Sequence, residues 1–272
     1  MALESFPPMM LVSARFLISG SILLAVVKAR GGQLPSGDAL RKTAFAGVLI
    51  LGLGNAALTV SELFIASGMA GLMITISPFW MISLEAALPG GQRLHGPTVA
   101  GMVVGLLGAL VLLAPDLTGQ SLDRSLLRGF LILQVGMAAW SFGSIYQRRQ
   151  AVGGHALAVG AIHQLAAGIA FLPIAALVPA HPVEWSVRGV GAMIYLIVFG
   201  SIIGYTSYTY VLERLPVAVV SIHSYLNCVV AVVLGWLVYR EPFGWREGSA
   251  MGIIFLGVAI VKSQSLRGSR DA

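Results

Sequence analysis

Residues 216–262, PVAVVSIHSYLNCVVAVVLGWLVYREPFGWREGSAMGIIFLGVAIVK, decide the fold. Two apolar runs flank the charged hinge YREPFGWRE, and a run of about 20 apolar residues crosses the hydrocarbon core of a bilayer as one helix. The first run carries His223 and Asn227 one helical turn apart. The hinge carries Glu241, and the second run places Gly248, Gly252 and Gly257 along its length.

The rest of the chain has the same character. Of 272 residues, 57% are hydrophobic and only 10% charged, with a mean hydropathy of +0.87. Soluble domains carry about a quarter charged residues, so these values exclude one and define a polytopic membrane protein. The net charge of +6 does not indicate nucleic acid, because the 17 Lys and Arg stand singly or in pairs at the ends of apolar runs. One cysteine, Cys228, gives neither a disulfide framework nor metal-ligand spacing, and the sequence calls for no metal and no cofactor. The start, MALESFPP, lacks the positive region of a signal peptide, so residues 9–28 read as a retained span.

Nine stretches are apolar and long enough to cross: 9–28, 43–63, 69–88, 97–114, 129–147, 156–179, 189–212, 216–239 and 248–262. Alternating ten-residue strands are absent, so the expected fold is an all-α bundle of nine transmembrane helices. The longest connections, ARGGQLPSGDALRK (29–42) and PDLTGQSLDRSLLR (115–128), have turn-making Pro, Gly and Asp and no room for a soluble domain. Alternating the sides places eleven cations on one face (Lys28, Arg30, Arg41, Lys42, Arg93, Arg148, Arg149, Arg214, Lys262, Arg267 and Arg270) and five on the other (Arg124, Arg128, Arg188, Arg240 and Arg246). The positive-inside rule makes the first face cytoplasmic, with the C-terminus inside and the N-terminus outside.

Shifting the chain by 149 residues superposes Pro78 on Asn227, Gln92 on Glu241, Gly101 on Ala250, Gly108 on Gly257 and Arg15 on Gln164 without a gap. Four spans from 9 to 114 then match four from 156 to 262, and the span at 129–147 has no partner in the first half. A full unit would have five helices. An odd number forces two similar halves into opposite orientations, the inverted-repeat logic of many secondary transporters.

Four features carry a family resemblance: PPMMLVSARFLISG (7–20), GFLILQVGMAAWSFGSIYQRR (129–149), GYTSYTYVLERLP (204–216), and the matched endings from Gln92 to Gly108 and Glu241 to Gly257. Together they resemble the EamA-type branch of the drug/metabolite transporter superfamily, over essentially the whole chain. The resemblance implies two inverted repeats, here 1–115 and 116–272, around a central cavity that moves small metabolites across the bacterial inner membrane by alternating access. Two departures stand out: the family's first helix is absent, and Asn227 occupies a position where the family usually has a helix-bending proline. The two halves are therefore expected to bend differently.

Polar groups inside spans are the natural site candidates, since an ionisable residue at the bilayer centre costs about 2.5–3.5 kcal/mol on insertion scales and faces the bundle interior. Asn55, Thr59 and Glu62, at i, i+4 and i+7, form one polar stripe on an apolar helix. Arg15 lies roughly two turns in from the same side, where it could pair with Glu62 as a strut or gate, or bind an anionic substrate group; the strut is the favoured reading. His223 and Asn227 share a face, where the histidine could accept a coupling proton or make an ordinary interhelical hydrogen bond. His163 and Gln164 sit at similar depth. Trp80, Trp140, Tyr205 and Tyr208 could line a pocket for an apolar solute, and Glu85 lies near an inner gate or reaches the interface. The small-xxx-small patterns GMVVG (101–105) and GSAMG (248–252) suit close helix packing within the chain or in a homodimer.

The alternatives to a transporter are an intramembrane enzyme and a non-transporting scaffold. Asp38, Asp116, Asp123 and Asp271 all fall in predicted loops or the tail, so no aspartyl pair sits in a span, and no Walker A run is present. An inverted repeat counts against a scaffold.

Overall fold

A computed structural model of the chain describes residues 5–65, 67–91, 95–118, 124–150, 155–177, 182–227, 229–230, 233 and 244–268. The described residues are helical throughout, without strands, as a bilayer requires of a chain whose backbone must satisfy its own hydrogen bonds. Helix α1 is Pro8–Ala29, α2 is Gly37–Ser61, α3 is Ser67–Ile74, α4 is Ser77–Ala87 and α5 is Gly96–Thr118. Then follow α6 (Arg124–Arg149), α7 (Ala156–Leu177), α8 (Val187–Arg214), α9 (Val217–Ser221) and α10 (Trp245–Gly268). Helices α1, α2, α6, α7 and α8 are long and apolar enough to cross a membrane, and shorter apolar helices cover Gly96–Val111 and Gly248–Val261. Their exposed faces are apolar too, as at Ile18, Ile22, Val135, Ile169, Phe199 and Ile203. Helices apolar all round belong in lipid.

Local chemistry sets the ends. Pro8 opens α1, where a missing N–H costs nothing, and the helix stops at Arg30 before Gly31, whose φ of 66° few other residues adopt. Ser186 caps α8 by accepting the Gly189 N–H at 2.9 Å.

Two spans expected to be continuous are broken. The stretch 69–88 divides at Thr75–Ile76 into α3 and α4, with Pro78 in the first turn of α4. Proline costs no hydrogen bond at that position, whereas at an interior one, as at Pro173 of α7, it removes one. The stretch 216–239 breaks at Ile222, and residues 223–227 resume as helix. Both stretches thus contain a break, the second without a proline. Side chains make it: Ser221 Oγ donates to the Ala218 carbonyl at 2.8 Å, Ser224 Oγ donates to the Ser221 carbonyl at 3.0 Å, and His223 Nδ1 lies 3.0 Å from the Val220 carbonyl oxygen. Such groups compete with the helical ladder for its own acceptors. The expected loop at 115–128 also shortens, since α5 runs to Thr118 and α6 begins at Arg124. Cys228, Gln92 and Glu241 lie outside the described residues.

The chain forms two compact units, 1–60 with 139–214 and 61–138 with 215–272. Each takes a segment from either side of residue 115. In the first unit α7 packs on α1, α2 and α8. A Cβ built at Gly20 would stand 2.8 Å from Leu165 Cγ, and one at Gly168 2.8 Å from Leu17 Cγ, so α1 and α7 cross almost backbone to backbone. In the second unit α5 meets α10 the same way, with a Cβ at Gly257 only 2.5 Å from the Gly105 amide nitrogen and one at Gly108 2.8 Å from Ile254. GMVVG is therefore used inside the chain. In GSAMG, neither Gly248 nor Gly252 has a neighbour among the described residues within 4 Å of a built Cβ.

Overpacking a tight contact costs about 1–3 kcal/mol. Gly257→Leu should therefore lower the melting temperature of the detergent-solubilised protein clearly, and Gly252→Leu should leave it within error.

Candidate functional site

Two long helices of the first unit contain a π-helical segment, Val48–Leu53 in α2 and Leu196–Tyr205 in α8. A π segment bonds i to i+5 and concentrates at functional sites. The shift of 149 residues carries 48–53 onto 197–202, inside the second segment. The polar and aromatic candidates of this unit gather around that second segment.

Tyr205 closes it and Tyr208 follows one turn on, with rings stacked at 5.9 Å and 28°. Trp140 of α6 meets Tyr208 at 5.5 Å and Tyr205 edge-on at 6.3 Å. The hydroxyls are committed inside the protein. Ser144 Oγ gives its hydrogen to the Trp140 carbonyl at 2.7 Å, so Tyr208 donates to Ser144 Oγ at 2.7 Å, while accepting the Trp140 Nε1–H at 3.0 Å. His163 is fully buried between Gln147 Oε1, 3.2 Å from its Nε2, and the Tyr205 hydroxyl, 2.7 Å from its Nδ1. An amide oxygen only accepts, which places the imidazole hydrogen on Nε2 and makes Tyr205 the donor to Nδ1. What remains of this wall is ring surface. Val12, Phe16, Ala46, Ile50, Leu51 and Ala167 complete its core.

A second network joins Arg15 and Gln164, the residues the shift superposes. Arg15 Nε donates to Ser201 Oγ at 2.7 Å and Gln164 Nε2 donates to the Ser201 carbonyl at 3.1 Å, so both address one residue of the π segment. The Ser19 hydroxyl lies between the Arg15 carbonyl oxygen, at 2.8 Å, and Gln164 Oε1. Asn55 and Thr59 are half-buried on α2 beyond its π segment. Glu62 is not on their helical stripe: α2 ends at Ser61, whose carbonyl accepts from the Phe64 and Ile65 amides as the chain turns. The turn toward α3 replaces the last helical residues the sequence suggested.

The second unit holds the remaining candidates. Trp80 Nε1–H donates to Gln134 Oε1 at 2.8 Å, Glu85 is buried on α4, His223 serves the Val220 carbonyl, and Asn227 is exposed. Sequence reasoning missed Gln134, Ser144, Gln147 and Ser201 as partners. Each is a polar residue in an apolar span, and that is the signal that finds them.

The fold defines a polytopic helical membrane protein with a polar and aromatic wall between its helices. The profile of the EamA-like transporter family matches residues 1–114 and 127–263, and the chain belongs to that family. It is 33% identical over 261 residues to the uncharacterized inner membrane transporter YedA of Escherichia coli, covering 95% of this chain and 82% of that protein. It is 30% identical over 172 residues to the aromatic amino acid exporter YddG of Ancylobacter novellus, covering 58% of this chain and 57% of the exporter. A solved crystal structure matches with a TM-score of 0.81 at 24% identity, over 97% of this chain and 90% of that one, so the two share a fold.

The Trp140–Tyr208 contact is open to a double-mutant cycle. Tyr208→Phe removes the acceptor of the half-buried Trp140 indole N–H and should cost about 0.5–1.5 kcal/mol, whereas adding Trp140→Phe should restore part of that loss. Denaturant melts of the purified protein measure both.

Proposed function

We propose that this chain is a secondary transporter that carries a small organic metabolite, an amino acid or related solute, across the cytoplasmic membrane by alternating access, with efflux the favoured direction. The observation that carries this reading is the internally bonded wall of Trp140, Tyr205 and Tyr208 inside the spans of an EamA-family chain. Relatives named as exporters of amino acids support the substrate class and the direction. The halves 1–115 and 116–272 act as inverted repeats; matched π segments and the meeting of Arg15 and Gln164 at Ser201 support this. The C-terminus is cytoplasmic on the distribution of cations. Each unit has its own candidates for contact with the solute, Asn55, Thr59 and Gln164 in the first and Glu62, Trp80, His223 and Asn227 in the second, with Glu85 at an inner gate. Such a protein releases its solute unchanged and needs no cofactor. A homodimer through the small-residue faces is compatible with this function and not required by it.

In proteoliposomes loaded with a panel of labelled amino acids, Tyr208→Ala and Asn227→Ala should each lower flux at least fivefold with normal insertion. Wild-type flux in both variants would remove the site. A C-terminal green fluorescent protein fusion should fluoresce in cells and a C-terminal alkaline phosphatase fusion should stay inactive; the reverse would invert the topology.

A further inference from the structure

We infer that Arg15 binds the carboxylate of the transported solute; the inference rests on the reading of the chain as a carrier of amino-acid-like molecules. Arg15 stands within α1, about 10 Å along the helix from Pro8, and is half-buried. A guanidinium has five N–H donors in one plane. Its Nε–H is spent on Ser201 Oγ at 2.7 Å, and its Cζ lies 5.0 Å from the centre of the Phe16 ring. Among the described residues no carboxylate pairs with Arg15, and its two Nη groups meet no acceptor.

The role of strut is met by Nε alone. A strut leaves the end-on fork of the guanidinium without a purpose, and a cation inside a span needs an anion or water to face. The fork is matched in shape and charge by a carboxylate bound through both oxygens. Its approach is shaped: a Cβ at Gly200 would stand 2.9 Å from Nη2, so glycine leaves the space in which that nitrogen rests. Phe16, under the guanidinium, belongs to the same core as Tyr205. An anion site therefore adjoins the ring wall, a pairing suited to a solute with one carboxylate and an apolar side chain.

The test is counterflow of labelled L-phenylalanine and L-leucine by the full chain in phosphatidylcholine vesicles, competed by each amino acid and by its amide, which keeps the shape and loses the carboxylate. The wild type should prefer acid over amide at least tenfold. Arg15→Gln should reduce that ratio to within twofold, and Arg15→Lys should keep part of it. Gly200→Ala, which crowds Nη2 without removing the charge, should lower the ratio in the same direction and remains informative if Arg15→Gln fails to insert. An equal loss of acid and amide competition would make Arg15 a strut alone and overturn the inference. So would a ratio unchanged in both variants, which would leave a lipid phosphate as the anion Arg15 meets. Absence of counterflow for every labelled amino acid in the wild type would instead bring down the transport reading itself, and the inference with it.

Discussion

Gly47 meets the backbone of His163 so closely that a methyl group there would overlap the histidine Cα. This one contact fixes how near α2 approaches α7, and much of the first unit follows from it. Helices in a bilayer gain little from hydrophobic burial against one another, so their association depends on close packing and on polar contacts that only short separations allow. With α2 drawn in at Gly47, His163 lies sealed between helices and its ring can reach Gln147 and Tyr205. The crossings at Gly20 and Gly168 hold α1 against the same helix and bring Arg15 to Ser201. Glycine positions thus set the geometry, and polar side chains then lock it.

The π segments belong to the same argument. Each lies at a contact between helices: Val48 follows Gly47, and the segment at 196–205 carries Ser201, toward which Arg15 and Gln164 both point. A π turn disturbs the helical ladder, and side-chain donors from neighbouring helices are a natural means of holding the carbonyls it displaces. Gln164 does so at the Ser201 carbonyl. One extra residue also rotates everything beyond it by about 100° around the helix axis. Tyr205 and Tyr208 face the wall they do because the segment before them is wound this way.

That rotation explains what the sequence could and could not convey. The long apolar spans were legible from hydropathy, since lipid imposes the same demand on every turn of a spanning helix. Glycine at 101, 105 and 257 was legible as a packing surface, whereas Gly248 and Gly252, read the same way, meet no neighbour among the described residues. The stripe of Asn55, Thr59 and Glu62 failed at its last member because a regular helix was carried past Ser61. The partner of Arg15 was chosen by depth alone, and the actual one, Ser201, is 186 residues away on a π turn that no periodicity reveals. Gln147, His163 and Tyr205 come from three different helices, far apart in the sequence. Their meeting depends on crossings, and crossings are written in glycines whose partners the sequence does not name.

The use of hydroxyls bears on selectivity. Tyr205 gives its hydrogen to His163, and Tyr208 gives its own to Ser144 while accepting from Trp140. A site that hydrogen-bonds a substrate hydroxyl can reject an analogue lacking it by factors of about 10⁴, because its own polar groups are left stranded. A wall of rings whose polar atoms are already bonded has no such lever. It discriminates by shape and apolar area, where one methylene changes affinity by only about 10- to 200-fold. In the proposed transporter such a wall would accept a range of related side chains and leave the common polar end of the solute to a charged group beside the rings.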